Sequence, residues 1–258
     1  MSEPVLDPEL FQAPPVARVP SATLGPVQRR LVAFGEVLLC SSVPTQLLLQ
    51  DLLVLAGWSA RTASGDLSLP FVFAVTLADT FLLIALMVLL TQAHGESPAE
   101  LWLGRRPPWR EALLGLTLVP LLFVMVVVLL NAVRMIAPSL HNVPTNPLEA
   151  LATGGALNAA LFGVVAVVGG GLREEMQRAF LLRRFEQHLG GAAVGVVVLS
   201  AAFGLGHWTQ GQDAVVTTAA LGVFWSLIYL RRRSSLAPII SHAGFNSLGV
   251  LRIAVTGV

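Results

Sequence analysis

The sequence predicts an all-α fold, a polytopic transmembrane helical bundle of about seven spans, or eight, around an intramembrane polar cavity. Three observations predict it. The chain has 258 residues, of which 55% are hydrophobic and 12% charged, about half the charged share of a soluble domain. Its apolar residues gather in runs long enough, or nearly so, to cross a bilayer, which takes about 20 helical residues. Its basic residues are all arginine, with no lysine, and they concentrate in alternate loops.

The elements follow in order. Residues 1–28 hold Glu3, Asp7, Glu9 and a series of prolines; they match neither a secretory signal nor a transit peptide and read as a disordered cytoplasmic tail. Residues 29–258 then form one membrane-embedded domain, with spans near 31–57, 68–92, 111–135, 154–182, 192–208, 214–230 and 236–257. With the N-terminus inside, the cytoplasmic segments hold Arg29 and Arg30, then Arg105, Arg106 and Arg110, then Arg183 and Arg184, then Arg231, Arg232 and Arg233, against Arg61 and Arg134 outside. That is the positive-inside pattern, and the expected location is a bacterial cytoplasmic (inner) membrane. In the loop 96–115, Trp102 and Trp109 alternate with arginines, which predicts a short interfacial helix. The net charge of +1 supplies no basic stripe for nucleic acid. The single cysteine, Cys40, permits no intrachain disulfide. No internal repeat, dinucleotide fingerprint, phosphate loop or HExxH zinc signature is present.

An ionisable side chain at the centre of a span costs about 2.5–3.5 kcal/mol or more, so each one asks for a function or a partner. Asp79 stands without a charge nearby in its own helix, and the expectation is a structural pairing with an arginine of another helix. Glu36 and Asp51 are similar residues of the first span. The stretch 169–191, GGGLREEMQRAFLLRRFEQHLGG, is richer. Arg183 and Arg184 read as helix-end charges snorkelling to water. Arg178 can reach back three or four residues to Glu175 or Glu174. Adjacent glutamates project about 100° apart on a helix, so one can be held by arginine while the other faces a cavity as a general base. His207 and His242 each bring an imidazole suited to acid–base work. Asn246, four residues after His242 on the same face, carries an amide that can donate to an oxyanion.

These residues resemble the CPBP group of intramembrane proteases, once called the Abi family, which includes CAAX prenyl proteases and bacteriocin-processing enzymes. The group's pattern is Glu-Glu-x-x-x-Arg, then Phe-x-x-x-His, then His-x-x-x-Asn/Asp, each on its own span. Phe203 to His207 matches the second motif and His242 to Asn246 the third. In the first, Arg178 comes one residue early. Anchoring on Arg178 sets Arg173 at the first Glu position and Glu174 at the second.

The resemblance implies an endopeptidase that cuts a membrane-associated substrate, prenylated in part of the group, in or beside the bilayer. Glu174 or Glu175 with His207 would prepare the water, His242 with Asn246 would hold the tetrahedral oxyanion, and Arg178 would orient the glutamate. The expected partners are that peptide or protein substrate and the lipid bilayer. Water access calls for a polar cavity open to the cytoplasmic side, with Gly169–Gly171, Gly204 and Gly206 permitting close helix approach. No cofactor is expected; were zinc required, His207, His242 and Glu174 or Glu175 would supply a three-ligand set. The second reading is a catalytically inactive member serving as a membrane binding or immunity module, and the third a proton-coupled transporter.

Overall fold

The protein's structure is a computed structural model that describes residues 24–256. The tail expected over 1–28 lies outside the described residues up to residue 23; Pro26 to Gln28 already form the first turn of a helix. The chain is helical nearly throughout: α1 (Pro26–Leu39), α2 (Val43–Leu55), α3 (Leu69–Ala93), α4 (Pro98–Trp102), α5 (Pro108–Ile136), α6 (Glu149–Ala152), α7 (Ala156–Val165), α8 (Glu174–His188), α9 (Ala192–Leu205), α10 (Gln212–Arg232) and α11 (Leu236–Thr256). The first five helices each carry proline at one of their first two positions, where its missing N–H costs nothing and its fixed φ starts the helix.

Among the described residues, six segments have the length and apolarity to cross a membrane: 26–55, α3, α5, 156–188, α10 and α11. The protein is an integral multi-pass membrane protein. The seventh expected span, 192–208, is the 14-residue helix α9, about 21 Å long and shorter than a standard span. It lies along α10. Polarity is arranged as lipid requires. Leu55, Phe81, Met135 and Ile136 face outward, whereas Asp79, Glu111, Arg184 and Asp213 are sealed inside.

Two departures from regular helix position the site. The first span breaks between α1 and α2, with Ser42 at φ 70°. The freed Cys40 carbonyl accepts from Gln177 Nε2 at 2.7 Å. In the fourth span, Ala166–Arg173 is π-helical, a wide turn that often marks functional sites. The glycine run explains why this segment sits so deep. A Cβ on Gly171 would lie 2.6 Å from Ala243 Cβ, and one on Gly170 would collide with the Asn246 amide. Only glycine lets this segment meet α11, its main neighbour.

One expectation fails here. Arg184 does not reach water: it is fully buried, 2.7 Å from Glu36 and 2.8 Å from Glu96. Its helix end is packed under α1 and the loop after α3, so the guanidinium meets carboxylates before solvent. Arg183 stays half-exposed beside Glu96. The interfacial helix expected in 96–115 is the single turn α4.

Candidate active site

The site is assembled from the start of α8, the end of α9 and the middle of α11. Glu174 and Glu175 open α8 directly after the π turn, and they diverge as the helical angle requires. Glu175 points into the protein, with a side chain 1% exposed. Arg178 donates to both its oxygens, Nε at 3.0 Å and Nη2 at 3.3 Å. His242 Nδ1 lies 2.9 Å from Glu175 Oε1. A carboxylate only accepts, so Nδ1 carries the proton and Nε2 is left facing outward. Trp225 stacks on the same imidazole, 3.9 Å between centroids and 14° from parallel, and its own Nε1 donates to Ser241 Oγ at 3.1 Å.

Glu174 takes the other direction, with a side chain 21% exposed. It lines a cavity of about 420 Å³ together with His207, His242 and Asn246. His242 Nε2 stands 3.9 Å from Glu174 Oε2, too far for a direct hydrogen bond and suited to a bridging water. Arg173 Nη2 reaches Glu174 Oε1 at 3.3 Å, while its Nη1 donates to Asp79 Oδ2 at 2.5 Å. Thr45 donates to Asp79 Oδ1 at 2.5 Å. The pairing of Asp79 with an arginine of another helix is thus present, and that arginine occupies the motif's first Glu position.

On the far wall, His207 Nδ1 donates to the Phe203 carbonyl at 2.8 Å, which orients its Nε2 away from its own helix. Phe203 ties the wall together: Arg178 sits over its ring at 4.5 Å, and its edge meets His207 and His242 at centroid distances of 5.0 and 6.1 Å. Asn246 Nδ2 donates one hydrogen to the Ala166 carbonyl at 3.1 Å, leaving the second for a ligand. A smaller cavity of about 340 Å³ on the other side shares Arg173, Glu174, Phe203 and His207, so these four form a partition between two spaces.

Four of the five candidate catalytic residues therefore meet at one cavity, and Glu175 does not; it stands behind His242 as a positioning residue. Among the described residues no three His, Cys, Asp or Glu side chains could hold a metal ion, and His242 Nδ1 is engaged by Glu175. Asn146, Glu149 and Gln210 also line this cavity. Trp225 was not foreseen; within an apolar run it has the pattern of any core aromatic.

All three motifs fall within residues 156–248, which match the family model described as type II CAAX prenyl endopeptidase Rce1-like. Over this stretch the chain is similar to the CAAX prenyl endopeptidase family. That similarity supports a membrane-embedded CAAX-type protease in general, in a chain whose first motif is altered. No curated protein and no solved structure matches the chain.

Proposed function

We propose that this chain is a glutamate-type intramembrane endopeptidase that hydrolyses a membrane-associated peptide of the prenylated CAAX class without a metal. One observation carries the reading: Glu174 and His242 Nε2 face one cavity 3.9 Å apart, and the other imidazole nitrogen is held by a buried carboxylate.

In the proposed reaction, a water lies between Glu174 and the His207 imidazole. Glu174 takes one proton as the water oxygen attacks the scissile carbonyl carbon. The carbonyl electrons move to oxygen, where Nε2–H of protonated His242 and the free Asn246 N–H donate. Glu175 supports the charge on the imidazole, as buried carboxylates do behind catalytic histidines. Collapse of the intermediate breaks the C–N bond, and the proton held by Glu174 passes to the departing amine. Arg173, anchored on Asp79, fixes the Glu174 rotamer from the position where the family pattern has a glutamate.

The test is cleavage of a panel of prenylated and unprenylated membrane peptides by the purified protein, followed by mass spectrometry, with Glu174→Ala and His207→Ala beside the wild type. Cleavage of a prenylated peptide that both variants abolish, and that a chelator leaves intact, is the expected result. No cleavage of any peptide, or normal cleavage by both variants, sinks the reading. Loss on chelation moves the chemistry to a metal.

A further inference from the structure

A larger cavity lies elsewhere. At the arginine-rich face, the loop 94–107 and the ends of α8 and α10 enclose about 690 Å³ lined by Arg105, Arg106, Arg183 and Arg231–Arg233. Its walls are fixed by buried hydrogen bonds. Ser235 N–H donates to the Trp102 carbonyl at 2.7 Å, and the Tyr229 hydroxyl to the Leu101 carbonyl at 3.2 Å.

The charges in it do not balance. Arg105 pairs with Glu100 at 2.8 Å, Arg183 with Glu96 at 3.0 Å, Arg232 with Glu111 at 2.5 Å and Arg233 with Glu186 at 2.7 Å. Glu96 is shared with buried Arg184, so it has no capacity for another cation. Arg106 donates only to the Arg232 carbonyl, at 3.2 Å. Arg231 is exposed and, among the described residues, has no ion pair. Among the described residues, two guanidinium groups of this cavity, Arg106 and Arg231, thus have no anionic partner, and planar paired N–H donors suit a phosphate.

The setting fixes the depth. Trp109, exposed and with the Arg110 guanidinium 5.0 Å above its ring, begins α5 three residues after Arg106. Tryptophan settles at the membrane–water boundary. Leu113 and Leu116, both exposed, continue its stripe at i+4 and i+7 into the span. A few residues beyond Arg106 the chain thus starts an apolar track along α5 that runs into the span.

We propose that this cavity binds the phosphate of an anionic phospholipid headgroup through Arg106 and Arg231, with the acyl chains lying along Leu113 and Leu116. Arginine near an anionic surface contributes enough that losing one weakens binding by about fivefold. The experiment is native mass spectrometry of the delipidated full chain titrated with phosphatidylglycerol, phosphatidylcholine or soluble glycerol 3-phosphate. It is run on the wild type, Arg106→Gln, Arg231→Gln and, as a control from the opposite face, Arg61→Gln. The expected result is preferential retention of phosphatidylglycerol, about fivefold weaker in each cavity variant and unchanged in the control. Equal retention of the two lipids by the wild type overturns the proposal without any variant. Unchanged retention in both cavity variants also overturns it. If glycerol 3-phosphate binds as well as phosphatidylglycerol, the cavity serves a soluble anion and the lipid assignment fails.

Discussion

Glu174 and Glu36 are both carboxylates inside the bundle, each close to an arginine and a histidine, yet they have opposite consequences. Glu36 has Arg184 2.7 Å from one oxygen and His94 2.6 Å from the other. Neighbouring Glu96 is met by Arg184, Arg183 and Gln187. Each carboxylate oxygen in that cluster faces a cation, an imidazole or an amide, although Glu36 Oε2 and Arg184 Nε meet as charges without a hydrogen bond, and the cluster is closed over by protein. Glu174 has Arg173 on one oxygen at 3.3 Å, and the other accepts no hydrogen bond among the described residues, with His242 Nε2 3.9 Å away. The residue types are the same. What separates a site from a clasp is one oxygen and one ring nitrogen left unengaged beside a space that admits water.

The largest expected effect breaks the cavity cluster at that oxygen. Glu174→Gln keeps the shape and removes the base, and general-base catalysis contributes about 10²–10⁴-fold. kcat for peptide cleavage is expected to fall by that factor with the thermal unfolding midpoint unchanged. Glu175→Gln is expected to lower both, because it strands Arg178. Should the two variants behave alike, the division of labour between the glutamates is wrong.

The same operation on the closed cluster should register as stability. Arg184→Met leaves Glu36 and Glu96 short of their buried cation, and breaking a buried pair costs about 3–5 kcal/mol. Denaturant unfolding in detergent micelles checks this, and cleavage per folded molecule is expected to be unchanged. A normal midpoint combined with lost cleavage would overturn the distinction between the clusters.

How much of this difference was legible beforehand depends on the residue. The helical bundle was, because hydropathy over about 20 residues reports lipid exposure directly. His207, His242 and Asn246 were, because isolated polar groups in apolar spans need a reason. Arg184 was misread: arginine at a helix end usually reaches water, and only the fold shows that α1 and the loop after α3 cover it. The roles of Glu174 and Glu175 were open, since a 100° separation says that they diverge but not which one meets the cavity. The π turn decides that rotation, and a glycine run does not announce its hydrogen-bond pattern.

A smaller effect is expected one step back from the cavity. Asp79→Asn keeps a hydrogen-bonding group beside Thr45 but removes the charge that holds Arg173. Loss of such a supporting partner costs about 10- to 100-fold in activity, here in kcat with little change in KM, since Asp79 lines neither cavity. An effect on KM alone would make Asp79 part of substrate binding rather than of Glu174 positioning.

The smallest effect is a pH dependence confined to the closed cluster. Glu96 lies in the loop after α3, outside the spans. Burial alone would raise its carboxyl, but hydrogen bonds from Gln187, Arg184 and Arg183, with the Arg184 charge, outweigh that and hold it below the ordinary 4.5. A depressed folded-state value means that the unfolded chain takes up the proton first as the pH falls. The contribution is therefore fully present above about 4.5 and disappears as the pH drops through the lower folded value. Unfolding midpoints of the wild type should decline between about pH 5 and pH 3, and Glu96→Gln should flatten that decline while starting from a lower midpoint at neutral pH. If the slope survives in Glu96→Gln, the acid sensitivity belongs to another carboxylate, and the closed cluster is not the clasp that this charge pattern describes.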